Sequence, residues 1–183
     1  MRYALMREMD ISNGQGIGVS LFVQGCHFHC PGCFNQELWD FNGGSEWTDE
    51  VCEKFFNLID RPYIKRVSFL GGEPLADENV DTICGLTHTI KDCFPDKKIW
   101  IYSGYTCDDI IYIDPNKQIK DLSRGEFFRY ATLYDADILV DGQFKLELQD
   151  INHKQIKFAG STNQRIIDLP NTFKQGRIIT IQN

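Results

Sequence analysis

The chain has 183 residues, of which 42% are hydrophobic and 25% charged, with a net charge of -7 at pH 7. That length suits one domain over residues 1–183 with a sizeable core, and the composition is that of an ordinary globular protein. The acidic balance speaks against a general nucleic-acid or anionic-membrane surface, so neither nucleic acid nor a membrane is expected as a partner.

Residues 1–10 carry Arg2 and Arg7 without an apolar run, so no signal peptide is evident, and no later run approaches membrane-spanning length. A cytoplasmic location is therefore expected, with thiols kept reduced. Residues 3–7 read as a short strand, followed by a polar, Gly-rich loop over Asp10–Gly18. Its Gly14-Gln15-Gly16-Ile17-Gly18 superficially resembles a phosphate-binding turn. With no strong strand before it and no helix after it, it reads as a turn-rich loop only. Val19–Val23 is a buried-strand pattern delivering Cys26-His27-Phe28-His29-Cys30-Pro31-Gly32-Cys33.

Thr48 can cap a helix that carries Val51, Phe55, Leu58 and Ile59 on one face and stops before Pro62. Ile64–Leu70 is the next strand, ending at Gly71-Gly72-Glu73-Pro74. Asp77 is expected to cap a second helix with Val80, Ile83, Thr87 and Ile90 at helical spacing, ended by Pro95. Ile99–Ser103 is a third strand, broken by Gly104. Asp114-Pro115-Asn116 marks a turn, Glu126–Tyr134 a helix, and Ala136–Val140 a fourth strand ending at Asp141-Gly142. Phe144–Leu148 and Arg177–Ile181 are expected to add short strands.

Strands alternating with helices predict an α/β fold of right-handed β-α-β units around a parallel sheet. Ligands in such folds sit beyond the carboxyl ends of the strands. The segments Cys26–Cys33, Gly71–Pro74, Ser103–Tyr105 and Asp141–Phe144 each follow a predicted strand, so they are expected to share one rim.

Three cysteines within eight residues offer soft thiolate ligands. One arrangement is a 4Fe–4S cluster on three thiolates, with one iron left open. The other is a structural zinc with His27 or His29 as fourth ligand, which would make the chain an interaction module. Cys52, Cys84, Cys93 and Cys107 are widely spaced and form no second Cys-x-x-Cys, so they read as packing residues or isolated thiols.

Gly25–Asn35, Gly71–Leu75, Trp100–Tyr105, Leu139–Phe144 and Gly160–Gln164 together resemble the radical S-adenosylmethionine superfamily. Within it they are most similar to the activating proteins of anaerobic, class III ribonucleotide reductases. Phe34 stands where Tyr is commoner, and Ser103 where Thr often precedes Gly-Tyr. The resemblance implies a partial, open parallel β/α barrel. It also implies that Cys26, Cys30 and Cys33 bind a 4Fe–4S cluster whose open iron chelates S-adenosylmethionine. Gly32, Cys33, Phe34, Gly71, Gly72, Glu73, Ser103 and Asp141 would contact that cosubstrate. Reductive cleavage would then yield a 5′-deoxyadenosyl radical that takes hydrogen from a glycine of the partner reductase. A flavodoxin or ferredoxin would supply the electron. On this reading a Gly72→Val change is expected to weaken cosubstrate binding and leave iron content near normal. The other enzyme readings are a small-molecule radical enzyme of the deazaguanine carboxylate synthase type and an activator of pyruvate formate-lyase.

Overall fold

The computed structural model describes residues 1–111, 121–151 and 156–181. The expected turn at Asp114-Pro115-Asn116 lies outside them. The strands are β1 (Arg2–Asp10), β2 (Gly18–Val23), β3 (Ser45–Glu46), β4 (Arg66–Gly71), β5 (Lys98–Ser103), β6 (Ile138–Asp141) and β7 (Arg165–Asp168). The helices are α1 (Asp49–Ile59), α2 (Asp77–Cys93), α3 (Cys107–Ile111), α4 (Arg124–Asp135) and α5 (Leu169–Gln175).

All the named strands form one seven-stranded sheet in the order β3-β1-β2-β4-β5-β6-β7. Its middle, β2-β4-β5-β6, is parallel as the alternating pattern predicts. Both margins differ from that expectation: β1 and β3 on one side and β7 on the other are antiparallel to their neighbours. The expected strand at Phe144–Leu148 is instead a loop with a 3-10 turn at Leu146–Leu148. Arg177–Ile181 contributes only a bridge between Thr180 and Ile167. The last strand is β7, whose Arg-Ile-Ile-Asp is too short for a readable alternation.

Strand alternation assigns two faces. Val19, Leu21 and Val23 of β2, Val67 and Phe69 of β4, Ile99 and Ile101 of β5, Leu139 of β6 and Ile167 of β7 are buried in the main core. There they meet Phe55, Leu58 and Ile59 of α1, Val80, Ile83 and Ile90 of α2, and Leu133 of α4. The residues between them face the other way: Phe22 and Leu70 form one small cluster, and Trp100, Val140 and Ile166 another. Helices therefore cover one face, and loops cover the face that holds the site.

Caps fix the helix starts. The Thr48 hydroxyl accepts from the Val51 N–H at 3.4 Å. Ser123 and Glu126 form a capping box that starts α4 at Arg124, earlier than Glu126 as expected. At α2 the cap position is Ala76, not Asp77; Asp77 instead accepts from Arg129 of α4.

The Gly-rich loop after β1 surrounds an arginine rather than a phosphate. Arg66 is fully buried, and its guanidinium donates to the carbonyls of Asp10, Asn13 and Gly16 and to the Ser68 hydroxyl. A Cβ on Gly14 or Gly18 would lie 2.6 or 2.7 Å from the Arg66 side chain. The glycines are there to let the loop close around that side chain. Behind it, buried Asp10 accepts from the Ser12 N–H, the Asn13 amide and the Ser20 hydroxyl.

Candidate functional site

The segments following β2, β4, β5 and β6 meet around one cavity of about 430 Å³. Cys26, Cys30 and Cys33 all line it, together with Gly71, Gly72, Glu73, Ser103 and Gly104. The cysteine loop is pinned at its start by Gly25 N–H to the Leu38 carbonyl (2.8 Å) and Cys26 N–H to the Trp39 carbonyl (3.1 Å). A tight turn, Cys33 N–H to the Cys30 carbonyl at 3.0 Å, brings the last two thiols together. Burial pushes the Cys26 and Cys30 thiols up, so a bound metal would have to displace their protons.

The donors around the cavity bear on the two metal readings. Nε2 of His27 lies 2.9 Å from Glu78, and its ring packs on Phe41 at 4.4 Å. The His29 ring packs on Trp39 at 4.7 Å. Neither histidine is among the cavity-lining residues. A single zinc ion needs four ligands at roughly 2.0–2.3 Å. Among the described residues no three His, Cys, Asp or Glu converge closely enough to hold one ion. A larger cluster takes its thiolates on separate irons, and three cysteines around one cavity fit that group.

The glycines after β4 are required by the protein's own packing. Gly71 has a φ of 108°, and a Cβ there would lie 2.8 Å from the Phe22 backbone. At Gly72 a Cβ would lie 2.3 Å from the Gly25 carbonyl oxygen. Gly72 and Glu73 donate to the carbonyls of Val23 and Gly25 at 2.9 and 2.7 Å, which ties this turn to the base of the cysteine loop. By this geometry even Gly72→Ala should displace Gly25, costing about 1–3 kcal/mol by overpacking. Thermal denaturation and iron analysis after reconstitution should show both stability and iron content falling. Unchanged iron would mean that the Cys26 strand-end absorbs the shift.

Glu73 is buried (2% exposed) and joins two rims. Its carboxylate accepts from the Ser103 hydroxyl at 2.8 Å, the Gly104 N–H at 2.7 Å and the Leu75 N–H at 2.9 Å. Burial outweighs these donors and raises its carboxyl to about 7. Ser103 and Glu73 thus reach the cavity as a bonded pair.

Two expected contact residues are placed otherwise. Gly32 sits in the turn with a φ of 73°, where a Cβ would meet Leu146 at 2.8 Å, and it does not line the cavity. The Asp141 oxygens are taken by Arg165 and by the Cys107 N–H (2.8 Å), also away from the lining. Asp141 therefore holds β7 and α3 against the end of β6. Phe34 is at the rim, 62% exposed, with its ring 5.1 Å from that of Phe144.

The sequence reading missed Asn35, Phe28, Tyr102 and the Ser12–Asn13 turn, all of which line the cavity. The Asn35 amide donates to the Gly71 carbonyl at 3.3 Å, and Phe28 packs over Gly104, where a Cβ would approach its ring to 2.4 Å. Asn35 lies two residues beyond the last cysteine of the motif. Ser12 and Asn13 are held locally by the Asp10 carboxylate, which accepts from both of their N–H groups, while Arg66, far along the chain, binds the Asn13 carbonyl.

A family described as a 4Fe-4S single cluster domain matches residues 12–167. The chain is similar to the anaerobic ribonucleoside-triphosphate reductase-activating protein of Escherichia coli K12, with 34% identity over 90% of this chain and 96% of the relative. The proteins of that name from Vibrio cholerae and from Enterobacteria phage T4 are 33% and 31% identical, each over 91% of this chain and over 97% and 93% of the relatives. Motif, cavity and near full-length similarity agree, and the chain belongs to the family of 4Fe-4S anaerobic ribonucleoside-triphosphate reductase-activating proteins.

Proposed function

We propose that this protein activates anaerobic ribonucleoside-triphosphate reductase by generating a glycyl radical on it through reductive cleavage of S-adenosylmethionine. The observation that carries this reading is the meeting of three cysteines and the Gly71-Gly72-Glu73 turn in one cavity, with neither His27 nor His29 among its lining residues. Cys26, Cys30 and Cys33 hold the 4Fe–4S cluster. When bound, such a cluster supplies the electron that splits S-adenosylmethionine into methionine and the 5′-deoxyadenosyl radical that takes hydrogen from the reductase glycine.

The chain's own residues bind, orient and enclose. Main chain at Cys33–Phe34 and at Gly71–Glu73 faces the cosubstrate, with Ser103 held against Glu73 as a second polar wall. Gly32 and Asp141 act on the site as positioning residues. Phe28, Phe34, Leu70, Phe144 and Phe158 give the cavity an apolar lining that keeps water from a radical.

The same reading takes residues 1–183 as one radical S-adenosylmethionine domain in the cytoplasm. It treats the sheet as an open barrel, supported by the helix layer on one face and the cavity on the other. A flavodoxin or ferredoxin donates the electron. Reconstituted protein, reduced anaerobically with S-adenosylmethionine and a class III reductase, should produce an oxygen-sensitive glycyl radical by electron paramagnetic resonance. Stoichiometric hydrogen abstraction from a small metabolite, with no reductase present, would overturn the proposal.

A further inference from the structure

One margin of the sheet is open beside the cavity. β3 pairs with β1 only at Arg2 and Tyr3, and from Ala4 to Asp10 no described strand lies on that side. An unpaired edge presents a row of main-chain N–H and C=O groups. Charge and bulges usually blunt such edges, and β1 has irregular register between Tyr3 and Leu5 and between Arg7 and Asp10. Even so, Leu5, Met9 and Ile11 on and just beyond it are 40%, 65% and 75% exposed. Leu5 and Arg7 stand opposite Phe22 and Ser20, so they share the face that holds the cavity. The strand then runs directly into Ser12 and Asn13, which are part of the cavity wall.

We infer that the free edge of β1 is the docking strand for the reductase segment that carries the target glycine, which adds to the sheet in extended form and is led along β1 into the cavity. This rests on the activating function proposed above. An open edge recognises an extended peptide: main-chain hydrogen bonds give affinity, and flanking side chains select the sequence. A glycine withdrawn from a folded reductase gives up its own backbone hydrogen bonds, and the β1 edge offers replacements. Continuity between that edge and the Ser12–Asn13 wall favours the reductase segment over a second copy of this chain, which could pair with the same edge.

Hydrogen exchange read by mass spectrometry tests the inference on cluster-loaded protein kept unreduced, with S-adenosylmethionine and purified reductase, association being checked by gel filtration. Amides within Leu5–Met9 should exchange about tenfold more slowly once the reductase is bound. The double variant Leu5→Lys/Met9→Lys should raise the KM for reductase about tenfold and leave kcat unchanged. A bound reductase that leaves exchange in β1 unchanged overturns the inference while the activating function stands. Protection that grows with protein concentration alone, and that reductase does not change, overturns it in favour of self-pairing. Failure of the complete reduced mixture to form a glycyl radical instead overturns the activating function, and the inference with it.

Discussion

Cys33→Ala is expected to leave the protein without a cluster after anaerobic reconstitution and without reductase activation. Cys26, Cys30 and Cys33 face one cavity, and among the described residues no other cysteine lines it. Neither His27 nor His29 is turned to replace a lost thiolate, since their rings pack on Phe41 and Trp39. A cluster on two thiolates has two irons without protein ligands and should be lost. The control is Cys84→Ala on α2, the helix that packs on the opposite face of the sheet. That change should cost about 1 kcal/mol of packing and keep iron and turnover. Iron and sulfide analysis with electron paramagnetic resonance of the reduced protein reads both variants. A normal cluster and full turnover in Cys33→Ala would overturn the ligand assignment.

What could be read from the sequence was what local patterns encode. The buried runs of β2, β4, β5 and β6 announced the parallel middle of the sheet, because strands buried on both faces are nearly continuous in apolar residues. The sheet margins carry no such signal. β1 is Arg-Tyr-Ala-Leu-Met-Arg-Glu-Met-Asp, half exposed and irregular in register, and its pairing with β2 is set by contacts across the Gly-rich loop. β7 has two buried residues, Ile166 and Ile167. At the site, the cysteine and glycine motifs located the cavity, whereas the partners of Gly32 and Asp141 could not be read locally. Leu146 fills the space at Gly32, and Arg165 and the Cys107 N–H occupy the Asp141 carboxylate. Those partners are remote in sequence and obey no spacing rule. The Gly-rich stretch is the turn-rich loop expected, but the arginine on β4 that it encloses is likewise remote in sequence.

Arg66→Ala should be among the most destabilising single changes in this chain. The guanidinium is fully buried, and burial lowers its proton affinity. It is kept in place by the carbonyls of Asp10, Asn13 and Gly16 and by Ser68, with the Asp10 carboxylate nearby. Removing one member of a buried ionic network leaves the others desolvated and unpaired, at a cost of about 3–5 kcal/mol. For a chain of this length that lowers Tm by roughly 6–20 °C. The loss should also show a pH signature. Burial by itself would raise the Asp10 carboxyl; hydrogen bonds from Ser20, Asn13 and Ser12, with the Arg66 charge, outweigh it and hold the group below its ordinary 3.8. A depressed carboxyl stabilises the fold above the unfolded-state value, and that contribution is lost as pH falls through the folded-state value. Wild-type protein should therefore keep this contribution until the pH drops below 3.8. Without Arg66 the Asp10 carboxyl rises toward its ordinary value, and the share of the acid-induced loss of stability that it contributes below 3.8 shrinks. Thermal denaturation of both proteins across the acid range measures the two effects together. A variant within about 2 °C of wild type, with the same acid profile, would show that the loop around Arg66 closes without its charge.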